Sequence, residues 1–454
     1  MILKKIVLYT SCFVLSGMGF AATDLNHSQR SALMPEHLVS QEPTLAIDVL
    51  PVLGEKAIWH VESHQNPIVS FSLVFQNAGS KGDPDHKKGV SSFLSSLLEE
   101  GCGELSSLEV KKYLLKYNIE LYVSGEQDTF SISFRCPKDS VRQAFDLMKL
   151  MLTKPRFDKA PFERVRHQMV QSYEAALVND RQRAGEVLSQ VLYGDHIYAK
   201  SYENLIRESK FIAPEDLHLF MKERFALDQV VLASVGDLTK EEVLAFVKDL
   251  LSALPKQSKP LDVKDVALKN LGEIKRVELD VPQSVIRFAQ PGIKRKDPDF
   301  YAAYVAEKIL ADGSFESRLW NSVREKSGLA YYCSADLQWS DHVELISGVT
   351  ATNSQNVDQV ITLIKQEWQG IIDSGVTQEE LDFVKGRLIG SFALNFDSTL
   401  QILSALILYQ RDGLTPNFIK ERNTIIQNLT LEKVNEVAKK LFNPNTLTFV
   451  VVGK

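Results

Sequence analysis

Gln229-Val-Val-Leu-Ala-Ser-Val-Gly236 recurs 217 positions later (446 minus 229) as Thr446-Leu-Thr-Phe-Val-Val-Val-Gly453. Both runs are apolar and closed by glycine, the pattern of a buried strand. Upstream the match continues without gaps, so that Ile212 to Asp237 aligns onto Leu429 to Lys454. Ile212-Ala-Pro-Glu-Asp-Leu217 and Leu429-Thr-Leu-Glu-Lys-Val434 each open a helix. Glu215 or Glu432 stands in the first turn, where a carboxylate favours the helix dipole. A repeated helix-strand unit at the end of each half predicts two homologous domains in tandem.

On this repeat, the first domain is expected over 45–253 and the second over 271–454. Leu254-Pro-Lys-Gln-Ser-Lys-Pro260 opens a linker over 254–270. Alternation and β-branched content predict strands at Ser70–Gln76, Thr129–Arg135 and Val343–Val349. Amphipathic spacing predicts helices near 88–100, 140–152, 161–178, 299–311, 355–373 and 377–395. Strands often follow one another without helical crossovers. The expected class is therefore α+β: two layered domains, each a largely antiparallel sheet covered by helices.

Lys4 and Lys5 precede an apolar run from Ile6 to Phe20, and Gly19-Phe20-Ala21 supplies small residues, so residues 1–22 read as a signal peptide. The run is shorter than the roughly 20 apolar residues of a span and holds Ser11, Cys12 and Ser16, which weighs against a membrane anchor. Export, most simply to the periplasm, is the expectation, with 23–44 as a polar arm. No other segment approaches a membrane span by sequence. At 454 residues, 44% hydrophobic and 24% charged, the chain can fill at least two cores. Loss of Lys4 and Lys5 takes the formal balance from 52 minus 58 to 50 minus 58, or −8, which argues against nucleic acid as a partner. With Cys12 removed, Cys102, Cys136 and Cys333 are too few and too scattered for a disulfide framework or a cysteine-rich zinc site.

Several motifs resemble the inverted zinc peptidases, the family that includes pitrilysin, insulin-degrading enzyme and mitochondrial processing peptidase. They are Asn77-Ala-Gly-Ser-Lys-Gly82 ahead of the Gly89 helix, Leu192-Tyr-Gly-Asp-His-Ile-Tyr198, Val235-Gly-Asp237, Pro282-Gln283 and Gln290-Pro-Gly-Ile293. The most specific is Gly313-Ser-Phe-Glu-Ser-Arg-Leu319 running into Val323-Arg-Glu-Lys-Ser-Gly-Leu-Ala-Tyr331. Active members carry H-x-x-E-H, in which two imidazoles on one helical face bind zinc and the carboxylate activates the bound water. Registered on Gly89, the resemblance places that motif at Ser92-Phe93-Leu94-Ser95-Ser96, with serine at all three functional positions. The third ligand falls within Gln171-Ser172-Tyr173-Glu174, where Glu174 is the one carboxylate. Hydroxyls that do not ionise are poor zinc ligands, so no metal and no cofactor is expected in this chain.

His60-Val-Glu-Ser-His64 offers His60, Glu62 and His64 on one side of a strand, but outside any helical motif; a solvated face is the expectation. His167 and His196 lack partners at ligand spacing. In the family, an arginine and a tyrosine seven residues apart contact substrate across the cavity from zinc, and Arg324 and Tyr331 match them. A short helix through Phe315, Leu319 and Val323, capped at Gly328, would present Arg324 to the strand that opens near Tyr331. The resemblance thus implies a non-catalytic subunit that binds unfolded peptide and completes the site of a homologous, zinc-bearing partner. The alternatives are a scaffold or peptide-binding pseudopeptidase with no part in proteolysis and, further off, an autonomous zinc metalloprotease.

Overall fold

The computed structural model describes residues 45–314 and 316–454; the expected signal peptide (1–22), the expected arm (23–44) and Phe315 lie outside the described residues. The strand runs assemble into two main sheets. The first joins β1 (Asp48–Leu53), β2 (Lys56–Glu62), β3 (Ile68–Gln76), β6 (Glu120–Gly125), β7 (Thr129–Pro137) and β8 (Val230–Gly236) in the order β1-β2-β8-β3-β7-β6. A two-residue hairpin, β4 (Gly101–Cys102) with β5 (Leu105–Ser106), stands apart from it. The second sheet joins β9 (Ile274–Glu278), β10 (Ser284–Pro291), β11 (Ala330–Trp339), β12 (Glu344–Thr352) and β13 (Thr448–Gly453) in the order β11-β12-β10-β13-β9. All pairings are antiparallel except β2 with β8 and β9 with β13, so the repeat carries even its one parallel pair. The glycines that close β8 and β13 have a steric reason. A Cβ on Gly236 would stand 2.0 Å from the Ile68 carbonyl oxygen, and one on Gly453 2.3 Å from Ser284 Oγ.

Six helices frame the candidate site and the contacts between the halves: α1 (Val90–Leu97), α2 (Lys159–Val178), α3 (Asp180–Tyr193), α4 (Pro214–Arg224), α5 (Thr399–Arg411) and α6 (Leu431–Leu441). The α4 and α6 helices are the repeated pair. Phe225 and Phe442 follow them as buried matches in the two separate cores.

The halves are tied by an exchange. The α3 helix, from the first half, buries Ala184, Val187, Leu188 and Leu192 against Val285, Ala289, Val450 and Val452 of the second sheet. In return α5 buries Leu403 and Leu406 against Trp59, Val61, Ala233 and Val235 of the first. Both helices have side-chain caps: Asn179 Oδ1 accepts from Gln182 N (3.0 Å) and Ser398 Oγ from Gln401 N (3.2 Å). Each large apolar side chain so buried is worth about 1.5–3 kcal/mol, so separating the halves is costly. Between them, 254–270 has no helix or strand, yet it is bonded along its length, for instance Lys259 N to Glu223 O (2.8 Å) and Val266 N to His342 O (2.9 Å).

A buried ionic cluster adds to the tie. Lys81, whose side chain has no solvent exposure, lies 3.2 Å from Asp128 Oδ1 on the β6–β7 turn and also pairs with Asp341 on the β11–β12 turn. The Asp341 N–H donates to Asp128 Oδ2 (3.2 Å), and the Tyr198 hydroxyl donates to Asp128 Oδ1. Burial first, then the bond to Asp128, raises the Tyr198 phenol far above its usual range, so it acts as a neutral donor. Among the described residues no single helix is long and apolar enough to cross a membrane. One pair, Gln378–Phe396 with Thr399–Arg411, has the composition but bends by 113°. Cys102, Cys136 and Cys333 are all buried free thiols.

Candidate functional site

On α1, Ser92 is partly buried, and the other two serines turn back on their own helix. Ser95 Oγ donates to the Ser92 carbonyl (2.9 Å), as does Ser96 Oγ (3.2 Å). This is the local bonding that hydroxyls adopt in helices when no other acceptor is supplied. The residue of α2 that reaches this face is Tyr173, bonded to the Ser92 side chain, with its hydroxyl 3.8 Å from where a Cβ on Gly89 would stand. Glu174, the carboxylate the sequence offered as a third ligand, is exposed. Its neighbour holds the facing position, and burial pushes that phenol up to about 12. Three hydroxyls and a neutral phenol provide no imidazole, thiolate or carboxylate, so these residues do not fit a zinc ion. Among the described residues, no group of three or more His, Cys, Asp and Glu could hold a metal elsewhere.

The start of α1 is held by an acid that sequence reading missed. Asp83 accepts from the N–H groups of Gly89 (2.7 Å) and Ser91 (2.8 Å), satisfying donors at the helix N-terminus. Burial outweighs those bonds and raises its pKa to about 6. The signal was an aspartate six residues ahead of Gly89. Asp83, Ser92, Gln127, His196 and Tyr198 line one open cavity of about 960 Å³.

The histidine decoy resolves differently from the expected solvated face. Strand β2 ends at Glu62, so His64 lies beyond it, exposed, bonded to Glu62 (2.8 Å) and Asp237. His60 is fully buried, bonded to Ser234 Oγ (2.9 Å) and the Leu238 carbonyl (3.0 Å), and burial lowers its pKa. Ser234 in the parallel strand β8 and Leu238 just beyond it explain that correction. His167 is exposed, and His196 Nε2 bonds the Lys264 carbonyl (2.9 Å).

In the second half the segment ahead of β11 is a short helical turn, Arg318–Trp320, continued as a π-helix over Asn321–Lys326. Leu319 and Val323 bury one face, and Arg318 pins the start through both Glu380 oxygens (2.6 Å each) and the Gly375 carbonyl (2.8 Å). The segment closes as expected at Gly328 (φ +62°), with Gly328 N bonded to Arg324 O (2.9 Å) and Leu329 N to Val323 O (3.0 Å).

Between Ala330 and Cys333 the β11–β12 register shifts, and Thr350 and Thr352 hydroxyls bond the Tyr332 and Leu329 carbonyls (2.6 Å each). Such an irregularity re-aims side chains. Tyr331 emerges 78% exposed, with its ring 4.6 Å from the Arg324 guanidinium, which also lies 4.4 Å from the Trp320 ring. A guanidinium held against two aromatic rings, and 3.8 Å from Glu325 Oε1, loses rotamer freedom before any ligand arrives. The structure thus brings Arg324 and Tyr331 together and adds Trp320, which spacing alone did not single out. The pair is not part of the lining of the Ser92 cavity.

The sequence profile described as Insulinase (Peptidase family M16) matches residues 58–204, and that of the Peptidase M16 inactive domain matches 212–388. The chain belongs to the M16 peptidase family. It is similar to the non-peptidase homologue YmxG of Helicobacter pylori, 26% identical over 86% of this chain and 90% of the other. It is also similar to the β subunit of the mitochondrial-processing peptidase of Saccharomyces cerevisiae, 22% identical over 73% of this chain and 74% of the other. Among solved structures, an M16 inactive domain from Pseudomonas fluorescens superimposes with a TM-score of 0.84 at 25% identity, covering 90% of this chain and 98% of that one. The serine-bearing α1 falls within the insulinase match, and Arg324 and Tyr331 fall within the inactive-domain match.

Proposed function

We propose that this chain is a non-catalytic M16 subunit that binds unfolded peptide and presents Arg324 and Tyr331 to the active site of a homologous, zinc-bearing subunit, zinc being a cofactor of the partner alone. The observation that carries the reading is the contrast between the halves. At α1 the Ser95 and Ser96 hydroxyls bond their own helix and Ser92 is held by a neutral phenol, whereas Tyr331 is open to solvent with the Arg324 guanidinium against its ring. An arginine fork can hold a peptide carbonyl, and a tyrosine hydroxyl can donate to a developing oxyanion. The relative in Helicobacter pylori is named a non-peptidase homologue, which agrees with the loss of the motif, and the yeast relative is named a subunit, which agrees with a family member that works beside another chain. Under this reading residues 1–22 serve as a signal peptide, and both subunits are exported and act in the periplasm.

The test is reconstitution with an exported M16 chain that carries an intact H-x-x-E-H. Neither chain alone should cleave an unfolded reporter peptide at more than a few per cent of the rate of the mixture. If the zinc-bearing chain is fully active by itself and the mixture is no faster, the reading fails. The second reading, a scaffold or peptide-binding pseudopeptidase, is favoured by the description of the Pseudomonas fluorescens neighbour as an inactive domain, and it predicts that negative outcome.

A further inference from the structure

Where α3 crosses the second sheet, three side chains from three elements converge: Arg181 in the first turn of α3, Arg287 on β10 and Tyr332 on β11. The Arg181 guanidinium lies 5.0 Å from the Tyr332 ring centroid. Gly185 leaves Arg287 uncovered by any α3 side chain at that position; a Cβ there would stand 4.0 Å from Arg287 Nε. Among the described residues neither arginine forms an ion pair, and Arg287 Nε and the Tyr332 hydroxyl are buried without a hydrogen-bond partner. Asp180 is an acid within electrostatic range of Tyr332, and its Oδ1 already accepts from the Arg181 backbone N–H (2.7 Å).

Two cations facing one tyrosine, one of them largely enclosed, are costly without a counter-charge. A lysine in that place would shed its proton, but arginine keeps its charge throughout the biological pH range. Burial first, and repulsion from Arg181 after it, lower the Arg287 pKa, the direction expected of a cation lacking its anion. A bound oxyanion would take the Arg287 Nε–H and the Tyr332 O–H as donors at its inner side and the exposed Arg181 fork at its mouth, a charge-assisted set.

We propose that Arg181, Arg287 and Tyr332 form an oxyanion-binding site, for a carboxylate or a phosphate, built across the two halves of the chain and independent of any partner subunit.

The test uses the full chain and thermal unfolding at matched ionic strength. Inorganic phosphate, or a short peptide with a free C-terminal carboxylate, should raise Tm by about 2 °C over chloride at roughly ten times its Kd. A response to phosphate marks free phosphate as a ligand, and one to the peptide that its amidated form lacks marks a peptide terminus; either supports the site. Arg181→Gln, an exposed change, should abolish the shift and leave the ligand-free Tm in place. Arg287→Leu should abolish it and raise the ligand-free Tm, because an enclosed uncompensated charge is removed. No anion-specific shift, or one that survives in either folded variant, would overturn the proposal; should Arg287→Leu not fold, Arg181→Gln decides alone.

Discussion

Tyr331→Phe, assayed in the reconstituted pair, is expected to lower kcat/KM for peptide cleavage at least ~10²-fold, the scale seen when one oxyanion donor is removed. The substitution deletes a single hydroxyl from a ring that is 78% exposed, so the fold has little to lose. Unfolding free energy should stay within ~0.5 kcal/mol of the parent. Arg324→Ala should cost at least as much activity, because it removes the guanidinium and with it the contact that holds the Tyr331 ring. If the loss lies in kcat rather than KM, the pair acts on the transition state; a rise in KM alone would assign it to ground-state binding. Unchanged kinetics in both variants would leave the scaffold reading standing.

Asp128→Ala is expected to give the largest loss of stability from a single polar substitution, about 3 kcal/mol by urea unfolding, the usual cost of stripping one partner from a buried charge. Lys81 would keep only Asp341, which is 46% exposed, and the Tyr198 hydroxyl would lose its acceptor. The cluster draws on the β6–β7 turn, the β11–β12 turn and the loop that follows α3, so its loss should also loosen the halves. Faster hydrogen exchange at those turns, with the sheet cores unchanged, is the accompanying sign. A stability loss under ~1 kcal/mol would mean that the helix exchange alone holds the halves.

Much of the fold was legible because its signals are local. The Gln229–Gly236 and Thr446–Gly453 runs needed only their own composition to declare buried strands, and both became sheet members next to the other long strand of their half. The exchange of α3 and α5 was not legible, because an apolar stripe tells that a helix face is buried and not which sheet covers it. The same limit hid the burial of His60, whose partners Ser234 and Leu238 are more than 170 positions away.

At the site, the replaced motif could be read from Gly89 because α1 follows it directly. The resemblance gives the third position only to within 171–174, and one step along α2 separates Tyr173, which faces Ser92, from Glu174, which faces solvent. Arg324 and Tyr331 stand out through the family resemblance, at positions matching its arginine and tyrosine. Their stacking was not legible, since it depends on a π-helical turn and a β11 irregularity that no propensity announces.

Whether this chain has given up metal chemistry can be read from its zinc content, measured on the purified protein after equilibration with excess zinc and exhaustive dialysis. With only hydroxyls at Ser92, Ser95, Ser96 and Tyr173, well below ~0.1 ion per chain is expected, against the full occupancy of a site with three true ligands. One tightly held zinc per chain, removed by chelator and taking a peptidase activity with it, would contradict the non-catalytic assignment.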